Sequence, residues 1–227
     1  MERVLVLSSH THPRLASPLN HRAYCERQGF DYIFDATRYH NRNAYDQKIN
    51  CILAHLGSTD WLCWMDEDAF FMDHTKSLRD FIPAGNDIGV VLCKSPGNLD
   101  KWTVINSGVM LFRNCELVRE LLKAVLKTDL RAVKKWWNPE LHGYFSKGDQ
   151  DLLVYQLMNR NFKKPDVTIL PCEAFNARPF HYQKSYDEYF ICHFAGVKHK
   201  DKNKAIGQFQ KKFQLTEALM PLQRIAG

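Results

Sequence analysis

Short apolar blocks alternate along the chain with segments whose apolar residues recur every three or four positions. Blocks of the first kind read as buried strands and segments of the second as helices lying against them. A strand is predicted over 3–7. A helix is predicted over 18–28, opened by Ser17 as cap and Pro18 in the first turn and stopped by Gly29. Residues 31–34 read as a second strand. Ile49, Ile52, Leu53 and Leu56 give 43–56 a helical period that ends at Gly57. Strands follow over 61–65, 88–92 and 109–112. A helix over 115–127 is expected behind Asn114 as its cap, and another over 149–159. Strands are placed again at 167–170 and 189–193, and 205–219 reads as an amphipathic helix. This alternation predicts an α/β sheet protein. Two stretches, 94–103 and 131–147, lack a period and are long enough to be functional loops. The second carries Trp136, Trp137, His142, Tyr144 and Phe145.

Composition narrows the class. The chain has 227 residues, 45% hydrophobic and 25% charged, so it can bury a sizeable core. Its length suits one large α/β domain or two small ones packed without a linker. With no linker, repeat or low-complexity tract, a single domain over 1–227 is expected. The longest apolar runs, 88–93 and 108–112, fall far short of the ~18 residues of a membrane span, so no transmembrane segment is expected. The apolar block at 4–7 is too short for a signal peptide. The seven cysteines are odd in number and form no Cys-x-x-Cys pair, which argues against a disulfide scaffold or a cysteine zinc site. Thiols left reduced suggest a reducing compartment. A cytoplasmic location is expected unless an anchor has been removed from a longer protein. The formal charge of +6 favours anionic ligands without demanding nucleic acid, and no nucleic-acid partner is expected.

The segment Trp61-Leu-Cys-Trp-Met-Asp-Glu-Asp-Ala-Phe-Phe71 carries the most chemistry. A buried strand runs directly into Asp66, Glu67 and Asp68. If the chain stays extended, Asp66 and Asp68 share a side and Glu67 points away. Two adjacent carboxylates repel unless a cation lies between them, and strand C-termini in α/β sheets are where ligands bind. Hard oxygen donors suit Mg²⁺ or Mn²⁺. The plain alternative is a solvated acidic turn. A phosphatase-type Asp-x-Asp is disfavoured by the position on the third strand and by Phe70. Farther on, His193-Phe-Ala-Gly-Val-Lys198 can bring an imidazole to a metal and an ammonium to a phosphate, with Gly196 letting the backbone approach; otherwise His193 is a hydrogen-bonded core histidine. Six lysines against one aspartate between 198 and 212 form either a basic lid over a pyrophosphate or a solvated face. Asn106, Ser107 and Gly108 read as a turn feeding a strand, able to hydrogen-bond a ligand. Asp149 is a candidate helix cap with Asp151 in the first turn, at a helix start where a ligand can sit.

Taken together these motifs resemble the metal-dependent nucleotide-sugar glycosyltransferases of the GT-A fold. Within these, the galactosyl/xylosyl/mannosyl transferase family is the nearest in pattern. Its metal strand is similar to 61–71, its Asn-Thr/Ser-Gly-x-x-Leu-x-Arg-Asn to Asn106–Asn114, and its Asp-Gln-x-x-Leu-Val-Tyr to Asp149–Tyr155. Its His-Phe-x-Gly-Cys-Lys resembles His193–Lys198, its early Asp-Tyr-Cys-x-x-His-Gly resembles Ala23–Gly29, and a lysine ahead of the metal strand resembles Lys48. Departures are Glu67 for a small residue, Cys63 for an aromatic and Val197 for a cysteine. The resemblance implies a Rossmann-like mixed central sheet with helices on both faces. It implies a nucleotide-binding part over about 1–95, an acceptor-side part over about 96–200 and a basic helical tail over 201–227.

The implied reaction moves a hexosyl or pentosyl group from a nucleoside diphosphate sugar to a glycan hydroxyl, with UDP-sugars favoured and GDP-mannose a second choice. Asp68 and His193 would bind Mn²⁺ (or Mg²⁺), and Asp66 would bind the ion or the donor's ribose and sugar. Lys198 and Lys48 would add positive charge at the diphosphate, and Val6 to His10, including Ser8, would hold base and ribose. Asn106, Ser107 and Gly196 complete the donor set. The resemblance suggests retention at the anomeric carbon, with Asp149 and Gln150 near the sugar's β-face. Trp136, Trp137 and Tyr144 either stack on an acceptor sugar or anchor their loop. Two other classes stand beside this one: a sugar-nucleotide hydrolase using the same site on water, and a non-catalytic carbohydrate-binding module.

Overall fold

The computed structural model describes residues 2–10, 17–41, 43, 45–85, 87–95, 102–158, 166–178 and 188–196. The chain opens with β1 (Val4–Ser9), α1 (Ser17–Gln28), β2 (Asp31–Asp35), α2 (Asp46–His55) and β3 (Trp61–Met65). Strand β1 lies between β2 and β3 and runs parallel to both. The winding therefore reverses on either side of β1, which leaves a crevice beyond the C-terminal ends of β1 and β3. The chain next forms β4 (Ala69–Phe71), β5 (Ile88–Cys93), β6 (Asn106–Arg113), α3 (Glu116–Lys127), α4 (Leu130–Trp136) and α5 (Pro139–His142). It continues through α6 (Asp149–Met158), β7 (Asp166–Leu170) and β8 (Ile191–His193). The main sheet has the order β2-β1-β3-β6-β5-β7, and β4 pairs separately with β8. Strand β6 is antiparallel to β3 and β5, and β7 is parallel to β5, so the sheet is mixed.

Side-chain alternation divides the core between the two faces. Leu5, Leu7, Leu62, Trp64 and Phe112 face the apolar sides of α2, α3 and α6. Val4, Val6, Trp61, Cys63 and Met65 face the opposite way, toward Tyr24 and Cys25 of α1, Phe71 of β4, and Phe175 and Phe190. Because both faces are covered, β1, β3 and β6 read as unbroken apolar runs rather than alternating ones.

Several boundaries differ from the predicted ones. Helix α2 begins at Asp46 rather than 43, because the Asn43 side chain accepts hydrogen bonds from the backbone N–H groups of Tyr45 and Asp46 and so caps the helix from outside. Its predicted last residue, Leu56, opens a 3₁₀ turn, Leu56–Ser58. Cys115, not Asn114, occupies the N-cap of α3; the Asn114 amide bonds Thr59 O instead. The expected 131–147 loop is largely two short helices, whose caps Asp129 and Asn138 bond the N–H groups of Arg131 and Glu140. Residues 106–108, expected as a turn, lie inside β6. The predicted helix over 205–219 lies outside the described residues. No disulfide links the seven cysteines, and among the described residues no helix is long and apolar enough to cross a membrane.

Helix α1 has an unusual buried face. Ser17, Asn20, His21, Tyr24 and Cys25 are buried, and Asn20 and His21 grip β4. Asn20 donates to Phe71 O at 2.9 Å and accepts from Phe71 N at 2.7 Å. His21 Nε2 donates to Ala69 O at 2.8 Å, while Nδ1 has no partner among the described residues. Burial, partly offset by the Ala69 bond, pushes the His21 pKa down to about 4. The unfolded chain takes up this proton below about pH 6.5 and the folded chain only near pH 4. The stability gained by keeping the ring neutral is therefore complete above pH 6.5 and is lost as pH falls toward 4. A wild-type loss of about 2–3 kcal/mol between pH 6.5 and 4.5 is expected from this group. His21→Gln, which keeps a donor for Ala69 O, should flatten that part of the profile in urea titrations.

Candidate metal and donor site

Strand β3 ends at Met65, and the next residues form a turn. Asp66 N–H bonds Gly108 O at 2.8 Å, and Ala69 N–H bonds Asp66 O at 3.0 Å. This turn, not an extended strand, is what brings the Asp66 and Asp68 carboxylates to one place. Glu67 does point away from them, to lie 3.3 Å from His10 Nε2 at the end of β1. The chain then enters β4, whose pairing with β8 sets Ala69 opposite His193. Phe194 N–H bonds Asp68 O at 2.9 Å and closes the join. His193 Nε2 consequently lies 3.2 Å from Asp68 Oδ1 and 3.8 Å from Asp66 Oδ2. One ligand atom from each of the three lies within 4.8 Å of the others.

Gly108 makes room for the ring. A Cβ built there would sit 1.9 Å from His193 Cε1, so no other residue fits while His193 keeps its place. Gly108→Ala is expected to displace the imidazole, lower stability by about 1–3 kcal/mol, and weaken Mn²⁺ binding in calorimetric titration. Wild-type affinity in this variant would separate His193 from the ion.

Lys48 stands at the centre of a second set of contacts. Its ammonium is 2.9 Å from Asp66 Oδ1, 2.9 Å from Asp149 Oδ2 and 3.1 Å from Ser107 O. These three acceptors match its three N–H groups. The lysine therefore bridges two carboxylates and a carbonyl. Burial opposes its charge, but Asp149 and Asp66 outweigh that and hold its pKa above the usual lysine range. Ser107 ties the same group together: its hydroxyl donates to Asp149 Oδ2 at 2.9 Å and its N–H to Gln150 Oε1 at 3.2 Å. Asp149 opens α6 but leaves the capping to Asp151, which is fully buried and accepts from Ser146 and Gly148 N–H. The Asp149 carboxylate is thus turned to the site rather than to its own helix.

The other expected residues divide. Asn106 is buried, and its Oδ1 accepts from Gly108 N–H, so its side chain serves the backbone rather than facing a ligand. Val6 is wholly within the sheet core, and the Ser8 hydroxyl is hydrogen-bonded to Tyr32 OH at 2.9 Å. Gly196 has φ +74° and lies against the Arg178 guanidinium. Lys198 lies outside the described residues. Trp136 stacks on His142 at 4.3 Å and Trp137 Nε1–H bonds Gly143 O, so both anchor their segment; Tyr144 is 44% exposed.

Sequence reasoning missed Asn20, His21 and Asn176. Asn176 is fully buried between Phe175 and Ala177 and joins His193 to Asn106. The available signals were the helical spacing of Asn20 and His21 with Ser17, Tyr24 and Cys25, and for Asn176 its place between the apolar Phe175 and Ala177.

The donor set suits a divalent cation. Two carboxylates and one imidazole form the mixed oxygen and nitrogen shell that Mn²⁺ accepts. Burial, with added repulsion from Asp68 and Asp149, raises the Asp66 pKa above the ordinary carboxylate range despite Lys48 and His193. A bound cation would relieve that crowding.

The fold is that of the GT-A glycosyltransferases. A glycosyltransferase involved in glycosylation of the major capsid of PBCV-1 superposes with TM-score 0.67 at 15% identity, covering 89% of this chain and 99% of that one. The glycosyltransferase GlyE of Streptococcus pneumoniae superposes with TM-score 0.50 at 12% identity, over 88% of this chain and 56% of that one. In sequence, residues 8–95 match the galactosyl transferase GMA12/MNN10 family. Xyloglucan 6-xylosyltransferase 4 of Arabidopsis thaliana is 25% identical over 155 residues, 62% of this chain and 30% of that one. The chain spans between about a quarter and about a third of the length of the curated relatives it matches.

Proposed function

We propose that the chain is a metal-dependent glycosyltransferase. It moves a hexosyl or pentosyl group from a nucleoside diphosphate sugar, UDP-sugars before GDP-mannose, to a glycan hydroxyl. One observation carries the reading: Asp66, Asp68 and His193, from distant parts of the chain, converge within 4.8 Å at the C-terminal end of β3. That is the crevice where an α/β sheet of this winding takes its ligand. The match to a galactosyl transferase family over 8–95 coincides with the part read as nucleotide-binding.

In this reading Asp68 and His193 hold Mn²⁺ or Mg²⁺, with Asp66 shared between the ion and Lys48. The bound ion supplies Lewis-acid stabilisation of the departing nucleoside diphosphate. Ser107 and Lys48 fix the Asp149 carboxylate, and Ser107 N–H fixes the Gln150 amide. Asp149 and Gln150 then face the donor sugar and support retention at the anomeric carbon. Either Asp149 attacks as a nucleophile or the acceptor enters on the same face as the leaving group.

The test is a thermal-shift panel of UDP, GDP and their sugars, with and without Mn²⁺, followed by product analysis. A ligand at 100 times its Kd stabilises by about 2.7 kcal/mol, so a shift with UDP and Mn²⁺ together is expected. Sugar should then pass from donor to an added oligosaccharide. Free sugar released equally with and without acceptor would favour hydrolysis, and no shift with any nucleotide would overturn the reading.

A further inference from the structure

We propose that Asn176 is a positioning residue that fixes the His193 imidazole in the tautomer with its proton on Nδ1, so that Nε2 offers a lone pair to a cation between Asp66 and Asp68. The inference rests on the reading of those three residues as a cation site.

The argument runs outward from the backbone. Gly108 N–H can only donate, and it lies 2.9 Å from the Asn106 side chain, which fixes that side chain's oxygen end as Oδ1. Asn106 O can only accept. Together these two acceptors face one end of the Asn176 amide, at 3.1 Å and 3.3 Å. That end must be Nδ2, since the flipped amide would set oxygen against oxygen twice. The other end is therefore Oδ1, an acceptor, and it lies 2.9 Å from His193 Nδ1. Nδ1 must carry the proton. In the neutral ring Nε2 is then bare, and this is the nitrogen that lies 3.2 Å from Asp68 Oδ1 and 3.8 Å from Asp66 Oδ2.

A lone pair aimed at two carboxylates is repulsive unless a cation lies among them. Burial makes the arrangement rigid: Asn176 is fully buried and His193 is 3% exposed. Backbone bonds hold both residues in place, with His193 N–H bonded to Ala177 O at 2.7 Å. An outer hydrogen-bond partner of this kind sets which imidazole nitrogen is available to a metal, and its loss typically weakens metal binding about 10–100-fold.

The experiment uses the intact 227-residue chain, ¹⁵N-labelled at histidine and without metal, at a pH where the rings are neutral. The His193 resonance is assigned by its absence in His193→Gln. Wild type is expected to show Nδ1 protonated and Nε2 bare. An Nε2–H tautomer in wild type would overturn the proposal, and this measurement needs no variant to fold. The same protein is then titrated with Mn²⁺ alone. Asn176→Ala is expected to mix the tautomers and bind Mn²⁺ about 10–100-fold more weakly. Unchanged tautomer and affinity in a folded Asn176→Ala would also overturn the proposal. Equal Mn²⁺ affinity in wild type and Asp68→Ala would instead remove the cation site itself, a different failure.

Discussion

Asp68→Ala is expected to lower sugar transfer by about 10³-fold, or about 4 kcal/mol of transition-state stabilisation, while leaving the fold intact. The separation of effects follows from how Asp68 is held. Its backbone carbonyl accepts the Phe194 N–H that joins the acidic turn to β8, and the substitution leaves that bond in place. Its carboxylate lies 3.2 Å from His193 Nε2, on the side where the cation is proposed to bind. Asp66 is a poorer probe, because its Oδ1 also accepts from Trp64 Nε1–H at 2.7 Å and from Lys48. Product formation at saturating donor, set beside an unchanged circular dichroism spectrum and melting temperature, is the measurement. Turnover within a few-fold of wild type would remove Asp68 from the chemistry.

Lys48→Met is expected to be the most destabilising substitution in the site, by about 3 kcal/mol. Methionine matches the length of the aliphatic stem but leaves Asp66 and Asp149 facing each other without the charge between them. Side-chain exposures of 28% and 17% give both carboxylates some solvent, which places the cost at the lower end of the range for a broken buried pair. Because the proposed cation would contact Asp66 and not Asp149, added Mn²⁺ should restore part of the lost stability. Urea titrations of both proteins, with and without Mn²⁺, give the four values needed. A variant as stable as wild type without metal would mean that Lys48 bridges nothing of consequence.

These effects lie in residues the sequence showed unevenly. Strands β1, β3 and β6 were legible because each is buried on both sides and reads as an apolar run. The caps Asp129 and Asn138, the latter followed by Pro139, were equally visible but were overlooked within a segment that lacked a period. Strand β4 is three residues long and has no local pattern to announce it, whereas β8 falls within the strand predicted over 189–193; it is their pairing with one another that no local pattern encodes. That pairing places His193 beside Asp68, and the sequence offered it only through family resemblance. Helix α1 hides its contacts differently: its inner face is polar, so Asn20 and His21 looked like solvent residues. Lys48 was visible as a site residue, but its partners come from β6, the acidic turn and α6, a convergence that hydrophobic patterning does not encode.

All of the proposed chemistry turns on Asp66, Asp68 and His193 holding one divalent cation. Anomalous diffraction from crystals grown with Mn²⁺ and UDP tests it most directly. A single peak about 2–2.5 Å from a carboxylate oxygen of Asp68 and from His193 Nε2, with Asp66 at its edge and the diphosphate on its far side, is the expected result. Nucleotide bound with no peak there, or a peak held by other side chains, would contradict it.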